Sequence, residues 1–241
     1  EAQRAARFEK TSTTPDDPAR GVLEALGKAD VAMPDVTYFV HGTTLALNAL
    51  LTRTGAKVAL VTTRGFRDVY EIGRTDREVM YDFRYRKPPG LVRRRMVFEV
   101  DERMDFQGQV VTPLDEDDAR RVAETIRDTG AESVAVSFLH SYADPAHELA
   151  MERILEAVAP ELEVSLSHRL VREYREYERT STTVIDAYAK PVVRRYLERL
   201  RTRLAEADFG GRFLITRSGG GAMTVDTAIA QPAHMVLSGP A

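Results

Sequence analysis

The 241-residue chain contains no cysteine. That excludes disulfides, thiolate metal sites and a cysteine nucleophile, and it fits a cytoplasmic setting. No apolar run approaches the roughly 20 residues that span a bilayer, and the opening Glu1-Ala2-Gln3-Arg4 is not a signal-peptide pattern. No membrane partner is therefore expected. There is no surplus of one charge either: 34 Lys and Arg are interspersed with 37 Asp and Glu, a net charge of −3. Without a basic face, nucleic acid is not an expected partner. A Gly-x-Ser-x-Gly elbow is absent, so serine-hydrolase chemistry has no support, and no repeat of solenoid period occurs. The first residue is not Met, which leads us to expect that the natural beginning of the protein is not represented.

What is present is 43% hydrophobic residues, ample for a core in one large domain or two smaller ones. Thr14-Pro15-Asp16-Asp17-Pro18 reads as a helix entry, with a helix to about Ala29. Val36 to His41 reads as a buried strand, Thr44 to Thr54 as a helix closed by Gly55, and Lys57 to Thr63 as a strand. That order predicts a parallel strand pair with a right-handed crossover. A helical turn follows at Asp68 to Ile72, and period-two alternation over Arg95 to Arg103 with Gly108 predicts a small antiparallel excursion. Then come a helix from Asp115 to Gly130, a strand over Ser133 to Leu139, a helix over Asp144 to Val158 and a strand over Leu162 to Ser167. Apolar residues from Val184 to Leu204 at three- and four-residue steps predict a long helix from about Tyr177 to Ala207. Pro191 should kink or split it. Strand Phe213 to Arg217, a glycine turn, a helix near Thr224 to Ala230 and strand His234 to Leu237 complete the pattern.

Three places could carry chemistry. His41-Gly42-Thr43-Thr44 interrupts an apolar strand before a helix, where free backbone N–H groups and hydroxyls suit phosphate; the plain alternative is a helix cap. Ser218-Gly219-Gly220-Gly221 follows a strand and can bring backbone close to an anion, or is an ordinary turn, and Ser238-Gly239-Pro240-Ala241 has the same two readings. His140, Asp144 and His147 form the one histidine cluster, better explained by helix capping and a surface loop than by a metal, so no metal site is expected. Arg172 to Arg179, followed by Thr180-Ser181-Thr182-Thr183, reads as a solvated charged face entering a helix; the rival reading puts Arg179 and the hydroxyls in a cleft. No catalytic residue is assigned.

Taken in order, Thr14-Pro15-Asp16-Asp17-Pro18, His41-Gly42-Thr43-Thr44 with Asn48-Ala49-Leu50, Gly65-Phe66-Arg67-Asp68, Val136 to Tyr142, Arg175 to Thr182, Ser218 to Met223 and Ser238 to Ala241 resemble the hydantoinase A / 5-oxoprolinase family. The resemblance runs from about residue 11 to the end. It implies an α/β fold of the actin and sugar-kinase type. Residues 1–178 would form a first lobe with a small antiparallel β insertion near 91–112, residues 179–208 a connecting helix, and residues 209–241 the start of a second lobe. It also implies ATP and Mg²⁺ as cofactors, a cyclic-amide substrate activated by phosphorylation, and a hydantoinase B-type partner subunit or fused domain, with homo-oligomers possible. His41, Gly42, Thr43 and Thr44 would then line an interlobe cleft, with Ser218, Gly219, Gly220, Gly221, Ser238 and Gly239 facing it from the other side. Two alternatives remain: a subunit of an ATP-dependent ketone carboxylase, and a non-catalytic assembly module. Family members carry an Asp-x-Gly-Gly-Thr phosphate loop before the segment matching residue 1 and another after the segment matching Pro240. Neither is among these residues, so the 241 residues alone are expected to be inactive.

Overall fold

The computed structural model describes residues 6–14, 17–74 and 81–237. In chain order the helices and strands are α1 (Pro18–Lys28), β1 (Tyr38–His41), α2 (Leu45–Thr52), β2 (Val58–Thr63), α3 (Val69–Ile72), β3 (Val97–Val100), β4 (Arg103–Met104), β5 (Val110–Thr112), α4 (Glu116–Asp128), β6 (Ser133–Ser137), α5 (Ala146–Val158), β7 (Glu163–Leu166), α6 (Ser167–Leu170), α7 (Glu176–Glu206), β8 (Arg212–Thr216), β9 (Ala222–Thr224) and α8 (Val225–Ala230). Contacts divide the chain into two units, Leu45–Val192 with Gln231–Ala233, and the residues up to Thr44 with Val193–Ala230 and those from His234 onward. The divisions between these units fall at 44/45 and inside α7 at 192/193.

The larger unit is built on a four-stranded sheet in the order β3-β2-β6-β7, every pair parallel. Every residue of β2 and β6 is buried, as expected for central strands covered on both faces. The core joins these strands to Ala119, Ala123 and Ile126 of α4, Met151 and Leu155 of α5, and Val184, Ala187 and Tyr188 of α7. Helix α4 begins as the sequence predicts: the Asp115 carboxylate accepts the Asp118 N–H, satisfying one donor of the first turn. The antiparallel excursion shrinks to the β4–β5 hairpin, where Gly108 turns at φ 80°. Strand β3 instead joins the parallel sheet. Alternation marks β3 as a strand but carries no record of its partner.

The smaller unit holds a three-stranded sheet, β1-β8-β9. Here the expected β1–β2 crossover pair is replaced: β1 pairs parallel with β8, Tyr38 opposite Arg212 and His41 opposite Ile215. Nor is β1 a buried strand, since Tyr38 and Val40 are exposed. Gly211 permits the pairing to start, because a Cβ there would run into the Val36 and Thr37 carbonyl oxygens. Helix α7 passes through Pro191 without splitting. Proline removes one backbone hydrogen bond, but buried Val184, Ala187 and Tyr188 before it, and Val193, Tyr196, Leu197, Leu200 and Leu204 after it, hold the helix by packing. The strand expected at His234 to Leu237 is a 3-10 turn over Pro232–Met235. Among the described residues no helix is long and apolar enough to cross a membrane.

Candidate functional site

The β1–β8 register brings two of the predicted turns to one place. Because His41 lies opposite Ile215 in a parallel pair, the Gly42-Thr43-Thr44 turn and the Arg217–Gly221 turn leave the same end of neighbouring strands. They therefore share one sheet edge instead of facing each other from opposite sides. The glycine turn is a β8–β9 hairpin rather than a strand-to-helix turn, closed by Arg217 N–H to Gly221 O at 3.0 Å. Gly219, Gly220 and Gly221 all take positive φ, 84°, 103° and 80°, and a Cβ at any of them would meet nothing within 4 Å. The space above this backbone is open, and the Gly219 and Gly221 amides make no hydrogen bond among the described residues. Consecutive left-handed glycines with open amides suit anionic oxygens, so the turn fits a phosphate group. Ser218 is already engaged: its N–H donates to His234 O at 2.7 Å and its hydroxyl accepts from Leu237 N–H at 3.0 Å. Ser238 and Gly239 lie outside the described residues.

His41 is a packed, neutral histidine. Its ring stacks on Phe39 at 6.0 Å between centroids, and Nε2 lies 2.7 Å from the Tyr196 hydroxyl. Burial lowers its pKa from 6.5 to about 4, and burial likewise pushes Tyr196 up to about 12. At neutral pH the imidazole is uncharged, and its Nε2 shares one hydrogen bond with the Tyr196 hydroxyl. A folded-state pKa below the unfolded value means the unfolded chain binds the extra proton as pH falls. Stability attributable to His41 is thus complete above pH 6.5 and is lost progressively down to about pH 4. The loss is at most about 3 kcal/mol. Denaturant unfolding across this window should show the slope in the wild type and lose it in His41→Phe.

A second concentration of polar groups, in the larger unit, occupies the carboxyl ends of the parallel strands, where open α/β sheets place ligands. Thr63 ends β2, Ser137 ends β6 and Ser167 follows β7. Glu148, fully buried on α5, accepts from Phe138 N–H at 3.0 Å, the Ser167 hydroxyl at 2.6 Å, His168 N–H at 3.1 Å and His168 Nδ1 at 2.7 Å. Burial alone would raise its pKa, but these donors together hold the carboxyl below the usual range, so it is an anion. Arg179 faces it through Ser167: Nη1 donates to Ser141 Oγ at 2.5 Å and Ser167 Oγ at 3.3 Å, and Nη2 to Phe138 O at 2.9 Å. Arg179 is 1% exposed, which overturns the solvated-face reading of residues 172–179 at this position. His147 is also buried, against Glu102, which in turn accepts from Thr63. It is not part of a surface loop. Burial raises the Glu102 pKa, partly offset by Thr63 and His147. Asp144 accepts Ala146 N–H at 2.8 Å just before α5, whose N-cap is Pro145.

Spacing on α7 carried the missed signal. Arg179, Thr183, Asp186 and Lys190 recur at four, three and four residues, and all are buried. Asp186 accepts from Ser165 at 2.7 Å and Ala233 N–H at 2.9 Å, with Lys190 at 3.4 Å. A polar stripe at helical spacing is invisible to a search for apolar ones. Above the network lie two cavities of about 420 Å³ and 560 Å³, both lined by Arg103 and His140.

Comparisons with known proteins agree with one another. The hydantoinase/oxoprolinase N-terminal region matches residues 1–159 and the hydantoinase/oxoprolinase region matches residues 179–241. A protein of Methanocaldococcus jannaschii is 40% identical over 96% of this chain and 35% of its own length. The acetophenone carboxylase gamma subunit of Aromatoleum aromaticum is 33% identical over 90% of this chain and 32% of its own. Among solved structures, the ATP-dependent caprolactamase of Pseudomonas jessenii superposes with a TM-score of 0.83 at 32% identity, covering 97% of this chain and 35% of that one. The chain thus spans about a third of the length of these relatives.

Proposed function

Since the chain belongs to the hydantoinase/oxoprolinase family, we propose that it is the nucleotide-using part of an ATP-dependent cyclic-amide hydrolase with an actin-like ATPase fold. The observation that carries this reading is the shared sheet edge, where the His41–Thr44 turn and the glycine turn with its open Gly219 and Gly221 amides emerge from paired strands. The caprolactamase relative supports the amide as substrate class. ATP, when bound with Mg²⁺, would supply the phosphoryl group that turns the ring-amide oxygen into a leaving group. This chain's part is positional: the Gly219 and Gly221 amides offer donors to phosphate oxygens, and neutral His41, oriented by Tyr196, adds no charge there. The remaining phosphate loops and a hydantoinase B-type partner would come from outside these residues.

The carboxylase relative keeps a second reading open, in which the same fold serves ketone carboxylation. Both are tested by following ATP consumption by the full-length protein and its partner subunit with hydantoins, 5-oxoproline and lactams, and separately with ketones plus bicarbonate. Stimulation by a cyclic amide is expected. Stimulation only by ketone and bicarbonate selects the carboxylase. ATP binding without stimulation by either class overturns the enzymatic reading in favour of an assembly role.

A further inference from the structure

The larger unit contains a cavity that neither the glycine turns nor the buried network uses. Its volume, about 420 Å³, is that of a small-ligand pocket. Phe66, Val69 and Leu139 supply apolar wall, and Arg103, His140 and Glu176 supply the polar lining. Arg103 stands on strand β4, its guanidinium 4.9 Å over the Phe66 ring. Beyond that stacking it makes no side-chain hydrogen bond or ion pair among the described residues. The Glu176 carboxylate, at the start of α7, likewise makes none. The other guanidinium of the lining, Arg74, is spoken for by a bidentate pair with Glu178 at 2.9 Å and 2.6 Å.

His140 reaches the cavity through an unusual backbone. It takes φ 56°, a left-handed conformation that non-glycine residues seldom adopt. Its carbonyl accepts from Ala143 N–H at 2.8 Å, and its Nδ1 lies 3.3 Å from the Tyr142 hydroxyl.

Among the described residues the pocket thus holds one guanidinium and one carboxylate with no hydrogen-bonded partner, and it suits a ligand with both charges. Phosphate, a dianion near neutral pH, would gain Arg103 but would be repelled by Glu176. A lone amine would meet the reverse conflict. We propose that this cavity binds a small zwitterion of the amino-acid class, its carboxylate held by Arg103 and His140, its ammonium by Glu176 and its apolar flank by Phe66, Val69 and Leu139. A planar guanidinium can take a carboxylate with two parallel bonds, which makes Arg103 the anchor.

The test uses the full-length protein and isothermal titration with four probes: L-leucine, 4-methylpentanoate without the ammonium group, 3-methylbutylamine without the carboxylate, and inorganic phosphate. L-leucine should bind with a Kd of about 1 mM or tighter, and each of the other three at least about tenfold more weakly. Arg103→Met and Glu176→Gln should each weaken leucine binding at least about tenfold, with Arg103→Lys recovering part of the loss and the thermal midpoint unchanged. Absence of leucine binding at about 10 mM would overturn the proposal. So would phosphate binding more tightly than leucine, or leucine binding unaffected by both substitutions.

Discussion

Arg179→Met should destabilise the protein by about 3–5 kcal/mol, read as a shift of the denaturant midpoint with little change in slope. Arg179 is 1% exposed, and among the described residues its hydrogen bonds go to hydroxyl and carbonyl oxygens rather than to a carboxylate. Its loss would leave Phe138 O without its Nη2 donor and Ser141 Oγ without its Nη1 donor, both inside the protein. It would also leave the Glu148 anion with no buried cation, since the guanidinium reaches it through Ser167. Methionine matches much of the length and none of the donors, so the effect isolates polar loss from cavity formation. A midpoint shift of less than about 1 kcal/mol would show that the network is not anchored by Arg179.

Glu148→Gln should cost about 3 kcal/mol at neutral pH. Four donors converge on the two carboxylate oxygens. An amide keeps one oxygen and turns an NH₂ toward donors, so at least two of the four contacts become donor against donor. The pH dependence gives an independent check. The Glu148 carboxyl is held below its usual 4.5 in the folded state, so its contribution is present above that value and is lost as pH falls through the folded pKa. His41 loses its contribution higher, between pH 6.5 and about 4. The two acid-sensitive windows should separate: Glu148→Gln should flatten the stability curve below pH 4.5, and His41→Phe should flatten it above. With Arg179→Met in the same background, the Glu148→Gln cost should shrink, because the two charges support each other through Ser167.

Most helices and the central strands of this chain were legible one by one, whereas β1 is not buried and residues 234–237 form no strand. Asp115 and Gly130 bracket α4, Val58–Thr63 reads as a buried strand, and the apolar steps from Val184 to Leu204 trace α7. The family motifs were legible as an ordered set, but the contacts between their side chains were not. Phe138 and Ser141 after β6, Ser167 after β7 and Arg179 on α7 come from three segments and meet in one buried hydrogen-bonded cluster. His140, beside Ser141, and Arg103 from β4 both line the two cavities.

Local periodicity and capping chemistry depend on near neighbours, so the sequence by itself determined the element order up to β7, the cysteine-free chemistry and the candidate turns at 41–44 and 218–221. Strand partnership is different, because a strand exposes the same hydrogen-bonding edge to any neighbour. Only the tertiary structure decided that β1 pairs with β8 rather than β2, and so set the two turns on one edge. It also decided burial. A charged helix face is solvated or sequestered according to what packs on it, and here Ser141, Ser167 and the Phe138 carbonyl turned Arg179 from a surface cation into the centre of a polar core.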